Sequence, residues 1–202
     1  MDADQPPRRA SIPADEPFIS DVADILRSHG FRQGHGDFAA LWSRKHPWNA
    51  PGPLYVGDDD LCMTGPDAAP NNVIVLETTD EYAFLGESPR PSGGEFLFRQ
   101  PSTLFELRQV IRAAETNAVR EYAFDGDDHW TGHLVAQWWE AMHPLQIHAE
   151  RAVAVWHDRT RAGRRPVEPV PSASLRRWLD YLADGMERYL QRYAEHLRTI
   201  SR

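Results

Sequence analysis

The chain has little of what would tie it together covalently or place it in a membrane. It contains a single cysteine, Cys62, which excludes a disulfide within the chain and a zinc site built from several cysteines. No apolar run approaches the roughly 18 residues that a membrane-spanning helix needs. Residues 1–15 are polar and rich in proline, without the apolar segment of a signal peptide. These absences predict a cytoplasmic protein.

An excess of positive charge is also missing. The formal net charge is −8 at pH 7, whereas a protein that binds a polyanion normally has a surplus of lysine and arginine. One basic stretch, Arg159–Arg165, lies beside a proline-rich linker and is interpreted as a solvated loop. We therefore expect no nucleic-acid partner, and the acidic balance favours a protein partner of basic character.

The short motifs of several common chemistries are absent. The chain contains no G-x-S-x-G nucleophile elbow, no P-loop and no G-x-G-x-x-G dinucleotide signature. The acidic cluster that begins at Asp125 also fails as a calcium loop, because Trp130 and Ala136 stand where glycine and glutamate are required. The sequence therefore predicts no cofactor.

What the chain does contain is 16 prolines, 13 glycines and 7 tryptophans in 202 residues. In the middle of the chain these breakers separate short apolar runs, which is typical of strands joined by loops. The pattern predicts an α+β fold, in which helices pack a small antiparallel or mixed sheet and the C-terminal third is helical. The expected strands cover residues 61–64, 73–77, 95–99 and 119–124, with a further candidate at 81–85. The expected organisation is a disordered tail at 1–15, an α+β domain at 16–143 and a helical extension at 144–202 with a linker at 163–171.

Two helices of the predicted domain have recognisable first turns. Thr103 and Glu106 fit a capping box, in which the threonine accepts from the helix backbone and the glutamate reaches back to the threonine. The helix should cover 103–115, with an apolar stripe formed by Leu104, Leu107, Val110, Ile111 and Ala114. Thr131 is the expected cap of the second helix, which should end at Pro144 before another helix begins near residue 146. Its apolar face consists of Leu134, Val135, Trp138, Trp139 and Met142.

The last predicted helix, 174–200, has apolar residues spaced mostly by alternating fours and threes. This spacing is typical of a heptad-like seam, and a helix of such length needs a surface to cover the seam. Either the rest of the chain or a second copy could provide that surface, so a homodimer through this helix is one expectation. The seam consists of Leu175, Leu179, Leu182, Met186, Tyr189, Tyr193, His196 or Leu197, and Ile200.

The densest group of titratable side chains follows Asp125. His129, His133, Glu140 and His143 are candidate ligands for a divalent metal ion, because imidazoles and carboxylates three or four residues apart share a helix face. Glu140 and His143 have the Glu-x-x-His spacing of di-iron bundles, although such bundles need the motif twice. At about 100° per residue, His133 and Glu140 lie nearly opposite the apolar stripe. We therefore predict a solvated face without a metal and keep the metal site as the alternative.

Cysteine and histidine are also the weaker candidates for catalysis: Cys62, His129 and His133. Cys62 could act as a nucleophile activated by a histidine, but a lone cysteine inside a predicted strand usually behaves as a small buried apolar group. Aromatic residues are the better candidates for binding, because they combine a large rigid surface with a polar atom. The binding candidates are Trp48, Tyr55, Trp130 and Trp138. For Trp48 itself, the favoured interpretation is that it packs its own loop onto the sheet, with recognition of a partner as the alternative.

Three segments together resemble small uncharacterised actinobacterial proteins. They are Trp48–Tyr55, with the sequence WNAPGPLY, Gly94–Pro101, with GEFLFRQP, and Glu121–Thr131, with EYAFDGDDHWT. The resemblance covers about residues 45–143 and implies that this stretch is one unit to which the C-terminal helices were added. It transfers no catalytic residue, because no function is known for those proteins.

The sequence as a whole predicts a non-enzymatic binding or accessory protein that acts through protein–protein contacts, as an immunity protein or an antitoxin does. The absence of a catalytic constellation, the tryptophan content and the terminal seam favour this prediction. One alternative is a metal-dependent hydrolase or oxygenase that uses the histidines and glutamate at 129–148. The other is a small-ligand-binding protein with a pocket between the sheet and the helix of Trp138 and Trp139.

Overall fold

The computed structural model of the chain describes residues 21–58, 63–76, 94–161 and 173–200, with the backbone alone at 148–149, 152–153 and 155–161. Within these ranges the chain has an α+β fold, as predicted. The helices are α1 (Val22–Ser28), α2 (Gly65–Ala68), α3 (Leu104–Thr116), α4 (Gly132–Arg161), α5 (Ala173–Ala183) and α6 (Met186–Ile200). The strands are β1 (Tyr55–Val56), β2 (Val73–Val75), β3 (Glu95–Leu97) and β4 (Tyr122–Ala123).

The strands form two separate antiparallel pairs. β1 pairs with β4, with Tyr55 opposite Ala123, and β2 pairs with β3, with Ile74 opposite Phe96. Every strand residue is buried, which explains why the sequence shows nearly continuous apolar runs where a half-exposed sheet would show alternation. The predicted small antiparallel sheet is therefore confirmed in the form of two two-stranded sheets.

The strand predicted at 61–64 is wrong where the structure describes it. Met63 has a positive φ of 51°, and Thr64 is already in the right-handed helical conformation. Neither residue fits a strand. Pro66 then stands in the first turn of α2, a position that proline favours because its missing N–H is not needed there. Residues 61–62 and the candidate strand at 81–85 lie outside the described residues.

A buried asparagine joins the two strand pairs. The Asn49 Nδ2 atom donates to the carbonyl oxygens of His46 (2.9 Å) and Val56 (2.7 Å). Its Oδ1 atom accepts from the backbone nitrogens of Val56 (3.2 Å) and Leu97 (2.9 Å). Val56 belongs to β1 and Leu97 to β3, so one side chain bonds to both sheets. The four bonds use the whole hydrogen-bonding capacity of the amide.

A buried glutamine fixes the loop between Asn49 and β1. The loop contains two prolines, which have no backbone N–H to offer. The Gln100 Nε2 atom donates to the carbonyl oxygens of Ala50 (2.9 Å) and Leu54 (2.8 Å), and its Oε1 atom accepts from the Leu54 nitrogen (3.3 Å). A Cβ atom at Gly52 would overlap the Gln100 side chain, so this position needs glycine. The loop is therefore held closely against Gln100, three residues after the end of β3.

α3 confirms the predicted cap on one side only. The Thr103 Oγ1 atom accepts from the Glu106 backbone nitrogen at 3.1 Å, as a capping threonine should. The Glu106 carboxylate does not return to Thr103, since it accepts from the backbone nitrogen and hydroxyl of Ser102, both at 2.8 Å, and forms an ion pair with Arg99. The start of α3 is thus fixed by a buried network that extends one residue further back than predicted.

Because of this network, α3 buries a different face from the one that the apolar stripe predicts. Glu106 points inward with Leu107, Val110, Ala113 and Ala114. At about 100° per residue, Leu104 lies about 120° from the centre of that face. Leu104, which was predicted to be part of the apolar stripe, is consequently 58% exposed.

α4 extends beyond its predicted end. It spans 30 residues and continues through Pro144, so the two helices predicted on either side of this proline are one. Thr131 caps the start of α4 as predicted: its hydroxyl oxygen accepts a hydrogen bond from the Leu134 backbone nitrogen at 3.2 Å. Pro144 and Glu140 are both exposed, so water can reach the carbonyl that the proline leaves without its helical donor. The proposed domain boundary between residues 143 and 144 falls inside this helix.

The single helix predicted at 174–200 is wrong, because α5 and α6 are separate helices. The chain turns at Gly185, which has a φ of 133° that side chains rarely adopt. Most of the predicted seam is buried, but against the chain itself, since α4 packs on both α5 and α6. The homodimer expected through this seam is therefore unsupported. The buried seam residues are Leu175, Leu179, Leu182, Met186, Tyr189, Tyr193 and Leu197, whereas Ile200 is exposed.

The C-terminal helices share one hydrophobic core with the β2–β3 pair. Trp178 of α5 contacts Trp48 and Phe96, with ring centroids 5.5 and 4.9 Å apart. A second core lies between α1, α3, β1 and β4 and includes Leu26, Val110 and Tyr122. None of the helices within the described ranges combines the length and the apolar character needed to cross a membrane.

Candidate functional site

The richest meeting of polar and aromatic side chains is built on one short turn, Asp125–Trp130, which we call the acidic turn. Its central residues form a 3-10 turn, and the Gly126 nitrogen donates to the Pro53 carbonyl at 2.9 Å. A Cβ atom at Gly126 would overlap the carbonyl oxygens of Gly52 and Pro53. Glycine at this position therefore lets the acidic turn dock directly on the loop before β1.

Asp125 is the first carboxylate of the acidic turn. Its Oδ1 atom accepts from the Tyr55 hydroxyl at 2.8 Å, and its Oδ2 atom lies 3.3 Å from His129 Nε2. Burial raises the pKa of the Tyr55 phenol, and the hydrogen bond to Asp125 and the charge of that carboxylate raise it further. The phenol therefore remains a hydrogen-bond donor at physiological pH.

Asp127 repeats the same arrangement with residues of α6. It accepts from the Tyr193 hydroxyl at 2.6 Å, and its Oδ2 atom lies 3.8 Å from His196 Nε2. Burial raises the pKa of Asp127, although the Tyr193 hydrogen bond and the charge of His196 lower it. One turn earlier on α6, the Tyr189 hydroxyl donates to the Pro51 carbonyl at 2.7 Å. The acidic turn and the loop that it docks on are thus both bonded to the C-terminal helix.

An aromatic cluster borders the Asp125 side of the acidic turn. The Trp42 ring stacks on His129 with centroids 4.8 Å apart and meets the edges of Tyr55 and Trp130 at 5.5 and 5.1 Å. The Lys45 Nζ atom lies 5.1 Å from the ring centroids of both Trp42 and Trp130. Burial lowers the pKa of this amine. The cluster therefore places an ammonium group against two indole faces, where the ring quadrupole attracts a cation.

The aromatic residues predicted to bind a partner are buried. Trp48, Tyr55, Trp130 and Trp138 are all largely inaccessible, and the Trp138 Nε1 atom donates to the Pro47 carbonyl at 2.8 Å. Trp48 packs against Phe96 of β3, with centroids 5.6 Å apart. Trp138 belongs to the same core as Trp48, in the region where the sequence analysis placed a possible ligand pocket. These side chains thus contribute to packing in this conformation.

The structure does not bring the alternative metal ligands together. His133, Glu140 and His143 are exposed on α4, as the helix periodicity predicted for the first two. His129 lies before α4 and faces Asp125. In the part of the chain that the structure describes, no group of three or more histidine, cysteine, aspartate or glutamate side chains is arranged to hold a metal ion. Cys62 lies outside the described residues.

Several residues of the site were missed by the sequence analysis. Lys45 had one available signal, since it is the only lysine among the 22 lysine and arginine residues. His196 and Tyr193 gave no signal, because their partner Asp127 lies 66 residues before Tyr193. His46 is buried too, with its ring stacked on Phe96 at 4.8 Å and its Nδ1 atom accepting from the Trp48 nitrogen at 3.2 Å. Contacts of this kind depend on tertiary structure and leave no local pattern.

A separate surface stands out for its exposed apolar side chains. Leu104 and Phe105 begin α3 and are 58% and 68% exposed. Arg108 and Arg112 are exposed one and two turns later, on the same side of the helix. Neither arginine has an ion-pair partner among the described residues. We call these four residues the α3 face.

The two features differ in what they can do. Asp125 and Asp127 of the acidic turn each already accept a hydrogen bond from a tyrosine hydroxyl, and these bonds hold loops and helices together. The α3 face has no such internal use among the described residues, and it presents apolar and cationic groups to solvent. Comparison of the chain with protein-family models, with curated proteins and with solved structures gives no match.

Proposed function

We propose that the protein is a non-enzymatic binding protein and that it contacts a partner protein through the α3 face. The observation that carries this proposal is the exposure of Leu104 and Phe105 next to each other on a regular helix. Single exposed apolar residues are common on protein surfaces, whereas adjacent large ones beside arginine resemble the composition of interface centres. Burial of both side chains on a partner would remove apolar surface from water and so favour association.

The rigidity of α3 supports the same proposal. Its first turn is held by the Thr103 cap and by the bonds of Glu106 to Ser102 and Arg99. Its opposite side is packed in the core through Leu107 and Val110. A surface that is already ordered loses little conformational entropy when it binds. The helix backbone that carries the exposed side chains is therefore fixed before a partner binds.

The charge of the α3 face selects the partner's chemistry. Arg108 and Arg112 lie one helical turn apart. The acidic residue of α3 on the same side is Glu115, which follows Arg112 by three residues and forms no ion pair with it. We infer that the partner contributes an acidic segment with apolar side chains, in which carboxylates face the guanidinium groups. An immunity- or antitoxin-like role would instead involve a basic partner, which the net charge of −8 would suit. Such a partner would have to bind a surface other than the α3 face.

The proposal is tested by capture of partners on the tagged full chain from an extract of the cells that produce it. Capture should fall by about tenfold for the double substitution Leu104→Ser and Phe105→Ser, because interface centres lose at least that much affinity on truncation. It should also fall for Arg108→Glu with Arg112→Glu. Arg198→Glu, which reverses one exposed charge on α6, is the control and should leave capture unchanged.

Capture alone does not support the proposal. Crosslinks between the α3 face and an acidic segment of the captured protein are required as well. A partner that binds all variants equally, or one that contacts the chain through basic residues, would contradict the proposed surface. A mass measurement of the purified chain in solution distinguishes a different partner protein from a second copy of this chain, because self-association would give a dimer without any added protein.

A further inference from the structure

The outward side of α3 has the residue spacing of a surface on which a second helix packs. Leu104, Arg108, Ile111 and Glu115, which we call the α3 stripe, follow one another at intervals of four, three and four residues. Such intervals keep side chains on one side of a helix. Ile111 is half-buried, and the other three residues are exposed. The α3 stripe is about 16.5 Å long at 1.5 Å per residue, so it matches about three turns of a second helix.

The chemical character of the side chains changes along this side of α3. The order is apolar, positive and negative: Leu104 and Phe105, then Arg108 and Arg112, then Glu115 in the last turn. A carboxylate is unfavourable at this end, because the helix macrodipole is negative there. The last turn of α3 contains no basic residue that would offset this cost. A positive group on a partner would offset it.

The charges on this side of α3 do not neutralise one another. On α1, Arg27 follows Asp24 by three residues, and the two side chains form an ion pair of 2.9 Å. On α3 the order is reversed, since Glu115 follows Arg112 by three residues, and this order is less favourable on a helix. The two form no ion pair, and Arg108 has none among the described residues. All three charges are therefore available to a partner.

We propose that the partner contacts the α3 face with an amphipathic α-helix that lies antiparallel to α3. This inference rests on the proposed function and specifies the partner's acidic segment. In this orientation the positive N-terminal end of the partner helix lies next to Glu115, and its C-terminal half covers Leu104 and Phe105. Acidic residues in its first turns then face Arg112 and Arg108, and the macrodipole of their own helix stabilises them as well.

A helix fits the α3 stripe better than an extended segment does. α3 is packed into the core through Leu107 and Val110, so only its convex outer side can be covered. The later positions of the α3 stripe lie about 6, 10.5 and 16.5 Å from the first, and a second helix repeats these intervals. Side chains on one face of a strand recur about every 6.7 Å, so the third would lie about 13.4 Å from the first. An extended segment is therefore out of step with the α3 stripe from the third position onward.

The test measures the binding of three synthetic peptides to the full chain. The first peptide, of about 18 residues on an alanine background, has two glutamates in its N-terminal half and two leucines in its C-terminal half, all on one side of a helix. The second has the same residues in reverse order. Lactam bridges on the opposite side keep these two equally helical, which circular dichroism verifies. The third has the same residues spaced by two and no bridge, so that they share one face when the peptide is extended. Fluorescence anisotropy at low ionic strength gives the dissociation constants.

We expect the first peptide to bind about tenfold more tightly than the third. It should bind about threefold more tightly than the second, because only the antiparallel orientation places a helix N-terminus at Glu115. Glu115→Gln should remove most of the preference over the second peptide. With Arg108→Glu and Arg112→Glu together, a version of the first peptide that has lysines in place of its glutamates should bind more tightly than the original. Urea unfolding of each variant verifies that its fold is intact.

Equal binding of the first and third peptides would overturn the helical partner, and equal or tighter binding of the second would overturn the antiparallel orientation. Failure of all three to bind would overturn the inference as a whole. The proposed function is tested separately, because it fails when the captured protein binds all variants of the α3 face equally. A captured protein that crosslinks to the α3 face through an extended segment would support the proposed function and contradict the helix.

Discussion

Asp125 and Asp127 are two residues apart, yet their carboxylates accept hydrogen bonds from tyrosines at distant positions of the chain. Asp125 binds the hydroxyl of Tyr55 on β1, and Asp127 binds the hydroxyl of Tyr193 on α6. Each carboxylate also has a histidine nitrogen within 4 Å, from His129 and His196 respectively. The acidic turn therefore connects the first strand to the last helix.

This connection explains why an acidic cluster can occur at a partly buried position. A carboxylate removed from water is costly unless hydrogen bonds and opposite charges compensate for its lost hydration. The tyrosine hydroxyls supply the hydrogen bonds, and the histidines supply positive charge when they are protonated. For Asp127 the compensation is incomplete, because burial raises its pKa in spite of Tyr193 and His196.

The substitution Asp127→Asn tests the cost of this buried carboxylate. A carboxyl group whose pKa is raised above its ordinary value of 3.8 in the folded state stabilises the fold below that value, and this contribution is lost as the pH rises through the folded pKa. We therefore expect the free energy of unfolding of the wild type, minus that of Asp127→Asn, to fall from about pH 4 to about pH 7. Urea unfolding at several pH values measures the difference.

The matched control for this experiment is Asp180→Asn, which removes one exposed carboxylate from α5. It separates the effect of burial from the effect of changing the net charge of the whole chain. A difference between wild type and Asp127→Asn that is flat or rises with pH would show that the ionised carboxylate of Asp127 is not destabilising.

The titration of tyrosines gives a second prediction. Burial raises the pKa values of Tyr55, Tyr189 and Tyr193, and nearby acidic groups raise them further. At least these three of the six tyrosines should therefore remain protonated near pH 10, the ordinary range of the phenol, and should ionise only when the fold opens. A group with a raised folded pKa stabilises the fold below its unfolded pKa and loses that contribution as the pH rises, so alkaline unfolding should follow.

The ultraviolet absorbance of tyrosinate measures the ionisation of the tyrosines as the pH rises. Circular dichroism of the same samples measures the loss of helix, so the two transitions can be compared. The chain in urea is the reference and should titrate all six tyrosines in one step. Ionisation of all six in the folded chain, before any loss of helical signal, would contradict the buried hydrogen bonds of these phenols.

The sequence was informative where local chemistry decides the structure. The Thr103 and Thr131 caps were predicted because a threonine hydroxyl before an apolar-periodic run has a local use, and both accept a helix nitrogen. The strands at β2 and β3 were predicted because breakers bound short apolar runs. In each case the relevant atoms are at most a few residues apart, and no tertiary contact is needed to interpret them.

The prediction failed where solvent exposure or contacts outside the local segment outweigh local preference. Pro144 was expected to end a helix, but exposure of that side lets water take over the missing hydrogen bond. Leu104 was expected in the core, but the bonds of Glu106 to Arg99 and Ser102 select a different buried face. The candidate site was half predicted: Asp125 and His129 were recognised as a cluster, whereas Lys45 and His196 came from distant segments.

Asn49 offers a test of how the two strand pairs are joined. Asn49→Ala removes four hydrogen bonds and leaves the backbone nitrogens of Val56 and Leu97 without this acceptor, so we expect a loss of about 3 kcal/mol or more in the free energy of unfolding. Asn71→Ala is the control, because the Asn71 side chain is exposed and the bond from Arg99 goes to the backbone carbonyl oxygen of Asn71, which alanine keeps. Urea unfolding of both variants gives the comparison, and similar losses would show that Asn49 does not link the sheets.

Gly185 determines where the terminal helices separate, and its substitution tests the turn between α5 and α6. Its φ of 133° is in the region that side chains rarely adopt, so Gly185→Ala should destabilise the fold by about 1–3 kcal/mol. Gly132→Ala at the start of α4 is the matched control, because an added Cβ there meets nothing within 4 Å. Alanine has the higher helix propensity, so this control should be neutral or stabilising by up to about 1 kcal/mol. If both variants unfolded at the same urea concentration as the wild type, the chain would tolerate a side chain at the turn, and the continuous helix of residues 174–200 would again be a possible conformation.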